Sequence, residues 1–116
     1  MTSVQDLISA AKESIDCLSA EESAKKAHEA GVLLVDLREP AEHEEEAVAV
    51  AVHIPRGVLE FKIGDACADK SQEILLHCGG GGRASLAAQS LKSMGYENVS
   101  IVSAPFTDFV AAFAAG

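Results

Sequence analysis

The chain has 116 residues and a net charge of −9. That length fits one domain of the common size, about 100–150 residues, with room for an ordinary core, and the charge excludes nucleic acid and anionic membranes as general partners, because both demand a basic surface. Hydrophobic residues make up 48% but aromatic ones only 4%, with no Trp, so the core is expected to be built from Ala, Val, Leu and Ile.

The N-terminal stretch MTSVQDLISAAKES has no basic region ahead of an apolar core, which reads against a secretory signal. No run approaches the ~20 apolar residues of a membrane span. Cys17, Cys67 and Cys78 form neither a disulfide framework nor a zinc spacing, and they suit a reducing compartment. A cytoplasmic protein with no metal or other cofactor is expected.

In chain order, Val4, Leu7, Ile8 and Ala11 recur at helical spacing, with Thr2 and Gln5 as a capping box. Residues 1–14 thus read as an N-terminal helical extension of a single domain covering 1–116. IDCL (15–18) is a short strand. Ser19 and Glu22 open the helix AEESAKKAHEA, which Gly31 stops. VLLVDL (32–37) has the continuous apolar character of a strand buried on both faces. REPAEHEEEA is turn-like or a short helix, and VAVAVHI (48–54) is a strand candidate ended by Pro55 and Gly57. VLEFKIGDACADKSQ holds a short helix and a loop. EILLH (73–77) is another buried strand, RASLAAQSLKSMG a helix closed by Gly95, NVSIV (98–102) a strand and FTDFVAAFAA a terminal helix. Strands alternating with helices predict an α/β fold of three layers, α/β/α, around a mainly parallel sheet of about five strands.

HCGGGGRASLA (77–87) carries the chemistry. Ligands of such folds sit beyond the carboxyl ends of the strands, and Asp36 and Cys78 both lie there. Four consecutive glycines cost backbone entropy. In return, a strand-to-helix loop points several amides into one concavity, and the helix dipole adds about half a positive charge. A cysteine at its base is expected to be an exposed nucleophile with a pKa below the ordinary ~8.5, and Arg83 adds a permanent cation. Cys17 and Cys67 lack this setting and read as bystanders, each a secondary candidate for a resolving thiol.

HCGGGGRAS resembles the active-site loop of rhodanese-like domains (Cys, two residues, Gly, one residue, Arg, then a small hydroxyl residue) through Cys78, Gly81, Arg83 and Ser85. LLVDLREPAEH (33–43) is similar to the family's Asp-x-Arg-x-x-x-Glu segment through Asp36, Arg38 and Glu42. HIPRGVLEF (53–61) and LKSMGYENVSIV (91–102) look like further stretches of these domains, so the likeness spans about residues 15–113. The resemblance implies a rhodanese-like fold and a sulfurtransferase. Cys78 would take a sulfane sulfur from a small sulfur-containing anion such as thiosulfate, or from a persulfide donor. It would then pass that sulfur to a thiol or cyanide acceptor, or to a protein sulfur acceptor, through a Cys78 persulfide. Cys78 and Arg83 are then catalytic. Gly79, Gly80, Gly81 and Gly82 hold the outer sulfur through their amides, Arg56 attracts an anionic donor from a turn beside the site, and Asp36, Arg38 and Ser85 support the loop.

Two other readings compete. Phosphatases and arsenate reductases related to this family place five residues between Cys and Arg; here there are four, a shorter ring that suits one sulfur atom better than an oxyanion. A catalytically idle binding module of the same fold is the second, against which the intact loop speaks. Around the loop, Arg38 and Glu42 are expected to form an ordinary ion pair. Asp36 either holds Arg38 and the loop or caps the next turn. His77, a strand neighbour of Cys78, faces the other way and packs; Glu44, Glu45 and Glu46 form a solvated face, and Phe106 and Phe109 belong to the core. Against a −9 background, weak thiosulfate affinity and better use of a persulfide donor are predicted. A thiosulfate Michaelis constant well below millimolar would contradict that.

Overall fold

Residues 2–116 are described by the structure, a computed structural model; Met1, the first residue of the N-terminal extension, lies outside them. Five strands, β1 (Asp16–Leu18), β2 (Val32–Asp36), β3 (Val52–His53), β4 (Glu73–His77) and β5 (Asn98–Val102), form one sheet in the order β1-β5-β4-β2-β3. Every pairing is parallel. The helices are α1 (Val4–Ser14), α2 (Ala20–Ala27), α3 (Pro40–Glu45), α4 (Leu59–Ala66), α5 (Gly82–Ser93) and α6 (Phe106–Ala115), with a 3-10 turn at Arg56–Val58.

The inner strands are continuous apolar runs because helices cover both faces of the sheet, so no position along them can be left to water. Alternation along each strand divides the core in two. Val35, Ile74, Leu76 and Ile101 face α1, α4 and α5, packing with Ala11, Leu59, Ile63, Ala87 and Leu91. Leu34, Leu75 and Val102 face α2 and α6, packing with Ala27 and Phe109. The small alanines of α5 (Ala84, Ala87, Ala88, all 0% exposed) let that helix lie close to the sheet in a protein short of aromatic residues. Tyr96, also buried, fixes the turn after α5 by donating from its hydroxyl to the Cys67 carbonyl at 2.6 Å.

The sheet has the expected α/β character with five strands, and it is wholly parallel. Several local expectations need correcting. The first capping box is Ser3 with Asp6, not Thr2 with Gln5: Ser3 Oγ accepts from Asp6 N–H at 3.1 Å and Asp6 Oδ2 from Ser3 N–H at 3.0 Å. Ser19 and Glu22 do form theirs. The second helix ends at Ala27, earlier than Gly31, which takes a left-handed φ of +87° in the turn beyond. The strand at 48–54 shrinks to Val52–His53, since Ala51 N–H closes a turn onto the Val48 carbonyl at 3.0 Å.

Candidate active site

Strand β4 lies between β5 and β2, and Cys78 is the first residue past its carboxyl end. It follows the inward phase of Ile74 and Leu76 and is only 3% exposed. The chain then turns back on itself through Gly81, whose φ of +99° is a left-handed conformation that favours glycine. This turn aims two amides at the thiol: Gly81 N–H donates to Cys78 Sγ at 3.1 Å and Ala84 N–H at 3.4 Å. The loop is pinned from both sides. Fully buried Ser85 donates from Oγ (2.6 Å) and from its N–H (2.9 Å) to the Gly81 carbonyl. At the opposite end, the Phe106 N–H at the start of α6 donates to the Gly79 carbonyl at 2.9 Å. Gly80 is the exposed tip. The expectation of an exposed nucleophile is therefore corrected: the sulfur is enclosed by its own loop, because the amides that receive it also cover it.

Arg83 does not project freely. Its guanidinium makes a two-point contact with the Glu42 carboxylate, Nη1 to Oε1 at 2.7 Å and Nη2 to Oε2 at 3.1 Å. Nη2 lies 3.0 Å from where a Cβ on Gly79 would stand, so close passage of this side chain explains a second glycine. The hydrogen bonds from Arg83, then that from the Glu39 N–H, hold the Glu42 carboxyl down to about 2. Glu42 in turn raises the Arg83 pKa. The expected Arg38–Glu42 ion pair is replaced by this longer-range one.

Arg38, 4% exposed, pairs with Asp36, which is fully buried. Asp36 Oδ1 accepts from the Arg38 N–H (2.9 Å) and Nε (3.1 Å), while Oδ2 accepts from Arg38 Nη2 (3.1 Å). His43 Nδ1 lies 2.8 Å from the same Oδ2. Burial alone would raise the Asp36 pKa, yet these bonds keep it below the ordinary carboxylate value. The guanidinium also donates to the carbonyls of Glu42 (3.2 Å) and Glu46 (2.6 Å), gripping α3, and stacks 3.7 Å from the Phe106 ring centre. Arg38 thus touches both elements that hold the loop: α3, which carries Glu42, and α6, which begins at Phe106. Asp36 serves Arg38 and His43 rather than the loop amides.

Arg56, the remaining expected site residue, stands apart from this cluster, as do His77 and Phe109, both expected to pack. Arg56 is engaged by Glu60 at 3.0 Å, with Ser90 Oγ at 3.4 Å from Nη2. His77 packs on the α6 face, its ring 5.7 Å from Phe106 and 5.2 Å from Phe109. Phe109 is core, whereas Phe106 is half-buried under Arg38. All three cysteines are free thiols. Cys17 is exposed on β1, while Cys67 is buried, which pushes its thiol pKa up. Among the described residues no group of three or more His, Cys, Asp and Glu could hold a metal, and no helix is long and apolar enough to cross a membrane. Sequence reasoning missed the rim pair His43 and His53, whose rings stack 4.1 Å apart, and the bond from Phe106 to the loop. A histidine two residues before Pro55 gave no spacing cue to either.

The sequence model of the rhodanese-like domain family matches residues 19–112. The chain is 30% identical over 94 residues to the thiosulfate:glutathione sulfurtransferase of Saccharomyces cerevisiae, covering 72% of this chain and 68% of that protein. It is 31% identical over 65 residues to the thiosulfate sulfurtransferase PspE of Escherichia coli, covering 56% of this chain and 62% of that one. Among solved structures, a protein of unknown function from Rhodopseudomonas palustris, described as a possible tyrosine phosphatase, superposes with a TM-score of 0.83 at 24% identity, over 97% of this chain and 92% of its own. That likeness speaks to the fold. With most of its length matched by the family's sequence model and its cysteine loop set at the end of the central strand, the chain belongs to the rhodanese-like domain family.

Proposed function

We propose that the protein is a sulfurtransferase that carries sulfane sulfur on Cys78. The observation that supports this most is the pair of amides, from Gly81 and Ala84, aimed at Cys78 Sγ. Convergent N–H donors suit a sulfur that carries negative charge during the transfer, as the outer sulfur of an anionic persulfide does. The sulfurtransferase relatives at about 30% identity point the same way.

In the first half-reaction the Cys78 thiolate attacks the outer sulfur of the donor. With thiosulfate, the S–S bond of the donor breaks, sulfite leaves with the electron pair, and a Cys78 persulfide forms. In the second, an acceptor nucleophile (cyanide or a thiol) attacks that outer sulfur and the Cys78 thiolate is the leaving group. No net redox change is required of the protein. The amides of Gly79, Gly80, Gly82 and Arg83, none of them engaged by Cys78 Sγ, would hold the outer sulfur. Donor and acceptor enter past Gly80, the exposed part of the loop. Ser85 acts on the loop and Arg38 on the elements that hold it; Arg56 is occupied by Glu60 and is not assigned a role at the sulfur.

Intact-mass spectrometry tests the reading. After incubation with thiosulfate or a polysulfide and removal of excess donor, the protein is expected to gain the mass of one sulfur atom. Cyanide or a thiol should remove it, and Cys78→Ser should not acquire it. A wild-type protein that takes up no sulfur from either donor would fit an idle binding module, and turnover of an aryl phosphate would fit a phosphatase.

A further inference from the structure

We propose that Glu42 determines donor specificity, limiting the negative charge a sulfur donor can carry, by occupying the guanidinium fork of Arg83. This rests on the sulfur-transfer reading above. A planar guanidinium with two parallel donors is the side chain best fitted to seize an oxyanion, and Arg83 is the one arginine of the loop. Here both donors are already directed to a carboxylate of the same chain. The other two arginines are no freer: Arg38 is buried on Asp36 and Arg56 is held by Glu60.

The pair stands beside the loop that a donor must reach. The Arg83 and Glu42 side chains are 35% and 38% exposed, and Nη2 lies beside Gly79, next to the thiol. Glu42 Oε1 also accepts from the Glu39 N–H at 2.9 Å, so the carboxylate is fixed from its own helix as well as by Arg83. With a pKa of about 2 it stays ionised in any ordinary assay buffer. Glu39, Glu44, Glu45 and Glu46 lie on the same segment and are exposed. A donor therefore meets a cation whose charge is already matched, in a rim that is otherwise acidic.

Two donors that differ by one charge separate this effect from the chemistry. Thiosulfate carries two negative charges and leaves as sulfite; methanethiosulfonate carries one and leaves as methanesulfinate. Each gives its outer sulfur to the Cys78 thiolate with the same bond formed and the same type of bond broken. One extra unit charge about 10 Å away, at an effective dielectric constant of about 20, corresponds to about tenfold in rate. The ratio of kcat/KM for methanethiosulfonate over thiosulfate is therefore expected to fall about tenfold in Glu42→Gln. In the wild type, added salt should also lower that ratio, because screening acts more on the dianion; in Glu42→Gln the same salt should change it less.

A ratio that is the same in both proteins overturns the assignment, whether the two rates stay high or fall together. The second case would mean that Glu42 only holds the loop in shape. If Glu42→Gln does not fold, the salt series is run on the wild type and on Glu44→Gln/Glu45→Gln; a flat wild-type ratio, or a salt response that disappears with those exposed glutamates, counts against the proposal. Failure of the parent reading looks different: neither donor would add sulfur to wild-type Cys78.

Discussion

His77 and Cys78 are adjacent in sequence and almost equally removed from water, yet the two faces of the sheet treat them in opposite ways. Cys78 points toward α5 and receives two amides. His77 points toward α6 and has no hydrogen-bond partner on either ring nitrogen; Phe106 and Phe109 flank it instead. Burial alone does not set the surroundings of a polar group. What separates the two residues is whether donors converge on the buried atom. On the α6 face the chain supplies hydrocarbon, which keeps the imidazole neutral and silent. On the α5 face it supplies main-chain N–H groups freed by a helix start.

Four substitutions separate the two faces. The largest expected effect is on the silent face: Phe109→Ala, which empties a fully buried site against His77, should cost about 3–5 kcal/mol in urea unfolding, and a cost below about 1 kcal/mol would show that this face is not packed as described.

Next is acid. Burial lowers the His77 pKa from 6.5 to about 4. Below 6.5 the unfolded chain binds a proton that the folded one refuses. The associated stability is complete above pH 6.5 and is lost as the pH falls through about 4. The loss should approach about 3 kcal/mol, and unfolding curves of His77→Leu should be flatter with pH over this range. Identical pH slopes for the two proteins would place the acid sensitivity elsewhere.

Smaller effects belong to the α5 face, which carries Cys78. Gly81→Ala forces a side chain into a left-handed φ of +99° and should cost about 1–2 kcal/mol. It should also slow sulfur uptake, by turning one amide away from Cys78. Gly80→Ala has open space around the new methyl. Its stability should stay within about 0.5 kcal/mol of wild type, with sulfur uptake retained. If both substitutions behaved alike in mass-shift kinetics, the directed amides would not be what distinguishes this face.

These contrasts also mark how far the sequence could be read. VLLVD and EILLH identify themselves because a strand covered on both faces has no polar phase. Their ends placed Asp36 and Cys78 on one rim, and strand alternation put His77 and Cys78 on opposite faces. The segment 48–54 misled for the same reason that the others did not. Val48 is buried in the α6-side core, but Val50 is exposed and the chain turns between them, so alternating valines do not indicate pairing. The Arg38–Glu42 pairing failed because the i, i+4 rule presumes one helix. Helix α3 begins at Pro40, leaving Arg38 outside it, and the true partner of Glu42 lies 41 residues away. Of the four loop glycines, close approach requires only Gly79 and a left-handed φ only Gly81, while a Cβ on Gly82 would make an ordinary contact with Ile8 and Gly80 has open space for a side chain.

The outer strands of the sheet are much shorter than the inner ones. β1 runs for three residues and β3 for two, while the three strands between them run for five each. An unpaired strand margin is a template for another chain, and brevity is one of the ways natural sheets blunt it. A foreign segment could match only two or three residues before running out of backbone. This protein should therefore resist edge-to-edge polymerisation even when concentrated, and any self-association would have to proceed through side-chain surfaces.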